Sequence, residues 1–344
     1  MVLTLMKPLD QITPRSGPEL IRATQPFEVE SRVTTWLLLA ETIFALAAAL
    51  LLVFLVEAWP VKILVGIIAG LVQVRLFIFY HDTLHGAIFR KDPIGNSLMT
   101  LVGFYLVVAR SVWKESHDYH HTNNAKLIGS AIGSYPIMTV DMHQRASTGD
   151  LRLYNFARHP LTIFFGYFTV FLIGFSLHPF FRNPKRHWGG PVALILHALL
   201  LAVVWINFGW INALAAVFIP CFVSMLFGAY LFYAQHNFPG VKIPKRGEWS
   251  YTEAAISASS MFKMSWMMHW FTGNIGFHHV HHLNHRIPFY LLPQAMAAIP
   301  ELQTPSCTSW RLRDIIACLR LSTWDPKQDR MLTYAEMKQL SATL

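Results

Sequence analysis

Four histidines fall within five positions, at His278, His279, His281 and His282, inside the stretch from Thr272 to Leu283. Neutral imidazole keeps a nitrogen lone pair free at pH 7, because its ordinary pKa is about 6.5, and it is the commonest protein ligand for transition metals. A purification tag sits at a terminus, whereas this run is internal and flanked by Phe277 and Leu283. A solvated turn seldom gathers so many imidazoles, so the run predicts a metal site that needs further ligands from elsewhere. Two other clusters offer them. His81 and His85 have i, i+4 spacing, and His117, His120 and His121 have i, i+3 and i+4 spacing. On a helix each set projects from one face. Alone, the His81/His85 pair would serve as well to cap a helix end at an interface. His278, His281 and His282 repeat the spacing of the second cluster, and that repetition argues against a structural role. Eight imidazoles exceed what one tetrahedral zinc takes, so two metal ions fit better. All-imidazole coordination suits zinc, copper, iron or nickel, which leaves the element open. Asp82 and Asp118 lie within the clusters, either orienting a ring through its second nitrogen or standing as solvated carboxylates.

The elements that carry these clusters are apolar. The 344 residues are 53% hydrophobic and only 14% charged, where soluble domains carry about a quarter charged residues. Several segments are therefore expected in lipid. A formal charge of +9 fits cytoplasmic loops and anionic headgroups. No basic run is interleaved with base-stacking aromatics, which argues against nucleic acid. The three cysteines form no ligand pair or redox motif and point to reducing surroundings. No removable signal peptide is visible. Residues 1–30 read as a cytosolic arm, 31–324 as a membrane domain and 325–344 as a soluble tail. Val33–Val56 and Val61–Tyr80 form a transmembrane hairpin around Pro60, with Arg15, Arg22 and Arg32 placing its open end in the cytoplasm. Arg75, a lone charge in the second span, is expected to face protein. Leu98–Ala109 is too short to cross, and Leu161–Leu177 is borderline. Pro191–Ala234 splits into two spans.

Parity settles the borderline piece. If all clusters build one site, they emerge on one face. Counting Leu161–Leu177 as a crossing would send His236 to the other face and put Arg182, Lys185 and Arg186 outside. The reading is all-α: a helical bundle with four transmembrane helices, two interfacial segments and a cytosolic helical cap carrying the histidines. Trp310–Leu321 has the spacing of an amphipathic surface helix in that cap.

Three stretches then carry a resemblance. His81-Asp-x-x-His-Gly86, Trp113-Lys-Glu-Ser-His-Asp-Tyr-His-His121 and Gly273-Asn-Ile-Gly-Phe-His-His-Val-His-His-Leu283, continued by Arg286-Ile-Pro288, are similar to the three histidine boxes of the membrane fatty acid desaturases, in particular bacterial acyl-lipid enzymes. The likeness runs from about Phe27 to the tail. It implies two iron ions in a non-haem centre that uses O2 and two electrons to form a carbon–carbon double bond in a long-chain fatty acyl lipid. It implies ligands at His81, His85, His117, His120, His121, His278, His281 and His282. It adds His236, in Tyr233-Ala-Gln-His-Asn-Phe238, as a further ligand. Asn274 joins Asp82 and Asp118 as a candidate second-layer residue. Thr83 and His285 depart from the common pattern, the latter standing where proline is usual.

Neither a haem-binding His-Pro-Gly-Gly nor a Gly-rich dinucleotide fingerprint is present, so electrons are expected from a ferredoxin or similar small acidic redox protein on the basic cytosolic face. The expected location is a multi-pass integral membrane protein with its site on the cytosolic face, in the plasma or inner membrane of a bacterium. A carotenoid hydroxylase or ketolase shares the first box, but Asn274-Ile-Gly and Arg286-Ile-Pro favour a desaturase. A metal transporter would need ligands along a mid-membrane path. Outside the boxes, His279 is expected to point about 100° away from the ligand face. His285 reads as a turn cap, and His269 as a packed ring or a substrate contact.

Overall fold

The computed structural model describes residues 15–127, 134–245 and 247–342. The start of the arm (1–14) and the last two residues of the tail lie outside the described residues. The arm enters as helix α1 (Gly17–Thr24), which buries Leu20. Ser31 then caps α2 (Arg32–Leu55), its hydroxyl accepting from the Thr34 amide. The chain turns at 56–58, and α3 (Trp59–His85), with Pro60 in its first turn, returns as one continuous helix through the whole first histidine cluster. It stops at Gly86, whose φ of +69° favours glycine, with the Ala87 amide donating to the Asp82 carbonyl at 2.9 Å.

After Asp92 caps α4 (Pro93–Tyr105), the chain bends by 97° into α5 (Arg110–Asn123). The bend is fixed from below, where the Tyr80 hydroxyl donates to the Val108 carbonyl at 2.8 Å. Leu98–Ala109 therefore does not form a straight crossing. It is followed on the cap side by α6 (Thr148–Arg158). Leu161–Leu177 forms a short helix, Pro160–Phe164, and a π-helical stretch, Tyr167–Leu177. Next come α7 (Gly189–Phe208) and α8 (Ile219–His236), the latter preceded by helical turns from Trp210. Among the described residues, four helices are long and apolar enough to cross a membrane: Arg32–Leu55, Trp59–His85, Gly189–Phe208 and Trp210–His236.

α3 is the axial helix. It packs on α2 and on α8, and two of its glycines let backbones touch. A Cβ on Gly66 would lie 2.4 Å from the Ala215 carbonyl oxygen, and one on Gly70 would lie 2.7 Å from Val223 Cβ. This is the small-xxx-small contact of membrane helices. Arg75 is buried, as expected for a charge facing protein, and holds Thr42 Oγ1 at 2.9 Å and the Trp270 carbonyl at 2.7 Å.

The chain after α8, called the cap below, holds α9 (His278–Leu283) and α10 (Leu312–Arg320), the amphipathic segment read from the sequence. Two small sheets join the helices: parallel β1 (Met261–Lys263) with β2 (Cys307–Ser309), and antiparallel β3 (Leu321–Asp325) with β4 (Arg330–Thr333). Helix α11 (Tyr334–Ala342) follows β4. Position 324 falls inside the β3 strand, and Trp324 is 2% exposed, so the chain beyond it packs against what precedes it. The fully buried Arg158 ties this cap to α8, donating to the Asn237 side chain at 2.8 Å and the Leu321 carbonyl at 3.0 Å.

Candidate metal centre

Three helices deliver the imidazoles. The end of α3 supplies His81 and His85, α5 supplies His117, His120 and His121, and α9 supplies His278, His281 and His282. His236 arrives on the last residue of α8. The ring nitrogens converge as two groups. In the first, ligand atoms of His81, His85, His117, His121 and His281 all lie within 4.8 Å of one another. In the second, those of His120, His236 and His282 do the same, with His278 Nε2 2.9 Å from His236 Nε2.

The spacing inside each group tests whether an ion fits. Neighbouring Nε2 atoms stand 2.8 Å apart for His81/His117, 3.2 Å for His81/His85 and for His117/His121, and 3.1 Å for His121/His281. In the second group they stand 3.0 Å apart for His120/His236 and 3.3 Å for His120/His282. Imidazole nitrogens at about 2.0–2.1 Å from one metal ion would sit about 3.0 Å apart at right angles. Tautomers support the same arrangement. The His236 Nδ1–H donates to the Ala258 carbonyl at 3.0 Å, which leaves its Nε2 lone pair facing the other rings. Burial holds His278, His281 and His282 well below the usual histidine range, so these rings are neutral at pH 7 and their lone pairs are free. Facing lone pairs at these distances call for a cation between them. The donor set fits metal binding in both groups.

Rings without a second hydrogen bond are held by packing. The Nδ1 atoms of His85, His121, His278, His281 and His282 have no hydrogen-bond partner among the described residues. Instead His121 stacks on His282 with centroids 4.2 Å apart, and His117 stacks on Trp113 at 5.0 Å.

The second-layer candidates divide. Asp82 is buried, its Oδ1 2.9 Å from His81 Nδ1 and its Oδ2 accepting from the Phe289 amide at 2.8 Å. Asp118 is about half exposed; its Oδ1 stops 4.0 Å from His85 Nδ1, while its Oδ2 takes Lys114 Nζ at 2.6 Å. That first distance is too long for a hydrogen bond. Among the described residues no hydrogen bond joins the Asn274 side chain to an imidazole. That side chain donates to the Phe289 carbonyl at 3.2 Å, and the residue's φ is +56°, so it shapes the turn before the third box.

Among the remaining histidines, His279 points away from the groups, its Nε2 donating to the Leu302 carbonyl at 3.0 Å. His269 packs beside Phe277 at 5.0 Å between centroids, outside both groups. His285 does more than end a turn: its ring lies 4.7 Å from His85 and 5.1 Å from His121. His285 lies beyond the end of α9, after extended Asn284, so helical spacing does not foretell this contact. Gln235, which spacing did not single out, donates to the Ile275 carbonyl at 2.8 Å and couples α8 to the third box.

An apolar cavity of about 550 Å³ ends at the histidines, touching His81, His117 and His278. Leu106, Trp113, Phe171, Phe175 and Met225 are among its walls. Leu106 and parts of the 169–175 stretch line the cavity, whereas Phe104 and Phe164 are not among its walls.

Comparison with known proteins agrees with this architecture. The family description "Fatty acid desaturase" matches residues 57–313. The chain is 29% identical over 280 residues to a fatty acid desaturase of Bacillus subtilis (strain 168), covering 81% of this chain and 79% of that protein. It is 23% identical over 279 residues to a Synechocystis sn-1 acyl-lipid omega-3 desaturase (ferredoxin), covering 75% and 71%. With an Arabidopsis thaliana chloroplastic sn-2 acyl-lipid omega-3 desaturase (ferredoxin) it shares 25% over 278 residues, 74% of this chain and 58% of that longer one. A family match over three helices that carry the converging histidines, in a chain with four apolar helices, has one meaning: the chain belongs to the fatty acid desaturase family, and is a membrane protein and an oxidoreductase.

Proposed function

We propose that the chain introduces a double bond into a long-chain fatty acyl group of a membrane lipid, using O2 at a di-iron centre. His81, His85, His117, His121 and His281 would hold one iron, and His120, His236, His278 and His282 the other. The observation that carries this reading is the convergence of these nine histidines as two groups of ring nitrogens, with His81, His117 and His278 among them lining an apolar cavity. In the overall reaction –CH2–CH2– + O2 + 2 e⁻ + 2 H⁺ gives –CH=CH– + 2 H2O. Bound iron supplies the activation of O2 needed to attack an unactivated methylene.

The chain's own residues supply the rest. Apolar walls bind the acyl chain and exclude water from the reacting carbons. Trp113, stacked on His117 and lining the cavity, positions the chain against the first group. Asp82 and the Ala258 carbonyl fix the rings of His81 and His236. Residues 31–324 form the membrane domain in this reading. The chain crosses four times, with the boxes and both ends on the cytosolic side, at the plasma or inner membrane if the source is bacterial. Electrons come from a ferredoxin-like carrier, the donor named for the Synechocystis relative.

A carotenoid hydroxylase or ketolase would use the same ligands, but the match over residues 57–313 favours acyl desaturation. Transport is disfavoured because the histidines crowd one end of the bundle, and the mid-span Arg75 is tied to Thr42 and Trp270. Expression in a host lacking the product fatty acid, followed by gas chromatography–mass spectrometry of total lipid, tests the reaction. New acyl double bonds and close to two irons per purified chain are expected. Full activity in zinc-filled, iron-free protein would sink the di-iron reading.

A further inference from the structure

The apolar cavity approaches the histidines from the side of His81, His117 and His278. A second recess, of about 380 Å³, opens where α3 ends beyond His85, with Gly86 in its lining. Its cations are Arg32, Arg90, Lys91 and Arg286. Two glutamates also line it, and both are engaged inward. Glu28 accepts from the Asn284 side chain at 2.8 Å, and Glu30 accepts from the Phe89 amide at 2.9 Å. Arg32 stands 3.9 Å from Asp92. By contrast, the side chains of Arg90, Lys91 and Arg286 are exposed and make no hydrogen bond or ion pair among the described residues. Lys114, beside the same helix end, is already paired with Asp118 and donates to the Leu84 carbonyl at 3.1 Å, so it adds no free cation. Half-buried His285, next to Arg286 in sequence, packs on His85 and His121 of the first group.

We propose that this basic recess is the docking surface for the electron donor, a small acidic one-electron carrier protein. Its carboxylates pair with Arg90, Lys91 and Arg286, and its redox centre is thereby seated over His285 and His85. The inference rests on the desaturase reading, which requires two electrons per double bond. Two reduced carriers each lose one electron, and O2 is reduced to two waters with two protons from solvent and the two hydrogens of the acyl chain. Substrate and donor then reach opposite sides of one histidine assembly, so a bound acyl chain leaves the donor's approach open. Charge complementarity of this kind acts mainly on encounter and on salt dependence.

The test is a titration of the detergent-purified full chain, both iron-loaded and metal-free, with a plant-type ferredoxin as probe. Affinity is expected to fall as ionic strength rises from about 0.01 to about 0.15 M, as the screening length drops from about 30 to about 8 Å. The double variant Arg90→Glu/Lys91→Glu is expected to bind on the order of tenfold more weakly or worse, with bound iron and its reduction by dithionite retained. Arg286→Glu provides an independent variant with a loss in the same direction. Arg152→Glu, exposed on α6, is expected to bind like the wild type. Wild-type affinity in the double variant, or an equal loss in Arg152→Glu, overturns the assignment. So does a double variant that loses binding to anionic vesicles while keeping ferredoxin, since the recess would then serve a headgroup. If the wild type forms double bonds with a chemical reductant yet binds no acidic carrier, the docking surface fails while desaturation stands. If no reductant supports double-bond formation, the desaturase reading fails first.

Discussion

Asp82→Asn separates the two duties of one buried carboxylate. Asp82 is 1% exposed and both of its oxygens accept, one beside His81 Nδ1 at 2.9 Å and the other from the Phe289 amide at 2.8 Å. An asparagine there has the same shape but only one accepting oxygen; its other end donates. Facing two N–H groups, it can satisfy one. If the oxygen keeps His81, the buried Phe289 amide is left unpaired, at a cost of about 1–3 kcal/mol to the fold. If the oxygen keeps Phe289, the amide NH2 meets His81 Nδ1 and drives the proton to Nε2, which lies 2.8 Å from His117 Nε2. That nitrogen then has no lone pair for a metal. Loss of such a second-layer partner lowers metal affinity about 10–100-fold, equivalent to about 1.4–2.8 kcal/mol. Iron retained against a graded chelator series, read by mass spectrometry of the metal, measures it directly, with melting temperature in detergent following the fold. Asp118→Asn is the matched control, because its carboxylate stops 4.0 Å short of His85. Wild-type iron retention in Asp82→Asn would refute the claim that this carboxylate sets the His81 tautomer.

His236→Ala is expected to abolish desaturation and reduce bound iron, and a fully active variant with normal iron would remove His236 from the site. His279→Ala is expected to keep its iron and measurable activity while lowering stability, since its buried ring bonds Leu302 rather than the cluster; loss of iron equal to that in His236→Ala would contradict this. Labelling of Pro184→Cys is expected only from the cytosolic side, and labelling from outside would make the 161–177 segment a crossing. Arg15, 2.9 Å from Glu301, holds that carboxyl down at about 2. A depressed carboxyl stabilises the fold above its ordinary range and loses that contribution as pH falls. The arm's hydrogen-exchange protection in the wild type should therefore exceed that in Arg15→Ala at pH 7, by a small margin because solvent screens an exposed pair. The difference should shrink between about pH 4.5 and 2, and equal protection at pH 7 would refute the tether.

Much of this arrangement was legible before any coordinates, because hydropathy and spacing are local signals. The four apolar helices follow from run length, and the converging faces of α3, α5 and α9 follow from i, i+3 and i+4 spacing. His279 could be turned outward from helical geometry alone. What stayed hidden depends on contacts distant in sequence. Nothing local says that Asp82 also receives the Phe289 amide, 207 positions later, or that Asp118 is drawn off by Lys114. The 97° bend after Tyr105 depends on the Tyr80 hydroxyl, a residue of another helix. The strands of the cap are three to five residues long, too short for a periodic signature to rise above the surrounding helices.

The glycines of α3 carry a consequence for how defects in this enzyme will present themselves. Gly66 and Gly70 meet backbone and Val223 of the neighbouring span with no room for a methyl group. His81 lies eleven residues further along that helix, roughly 17 Å away at 1.5 Å per residue. The helix that carries His236 is the one pressed against those glycines. The separation between ligands of the two groups is thus set by a backbone seam between two apolar helices, which cannot yield as side chains can. A single methyl added there acts as a wedge at the far end of a lever. A genetic screen for inactive alleles should therefore return substitutions at these glycines alongside the histidines. Their carriers would show a metal deficiency whose cause lies where no metal is.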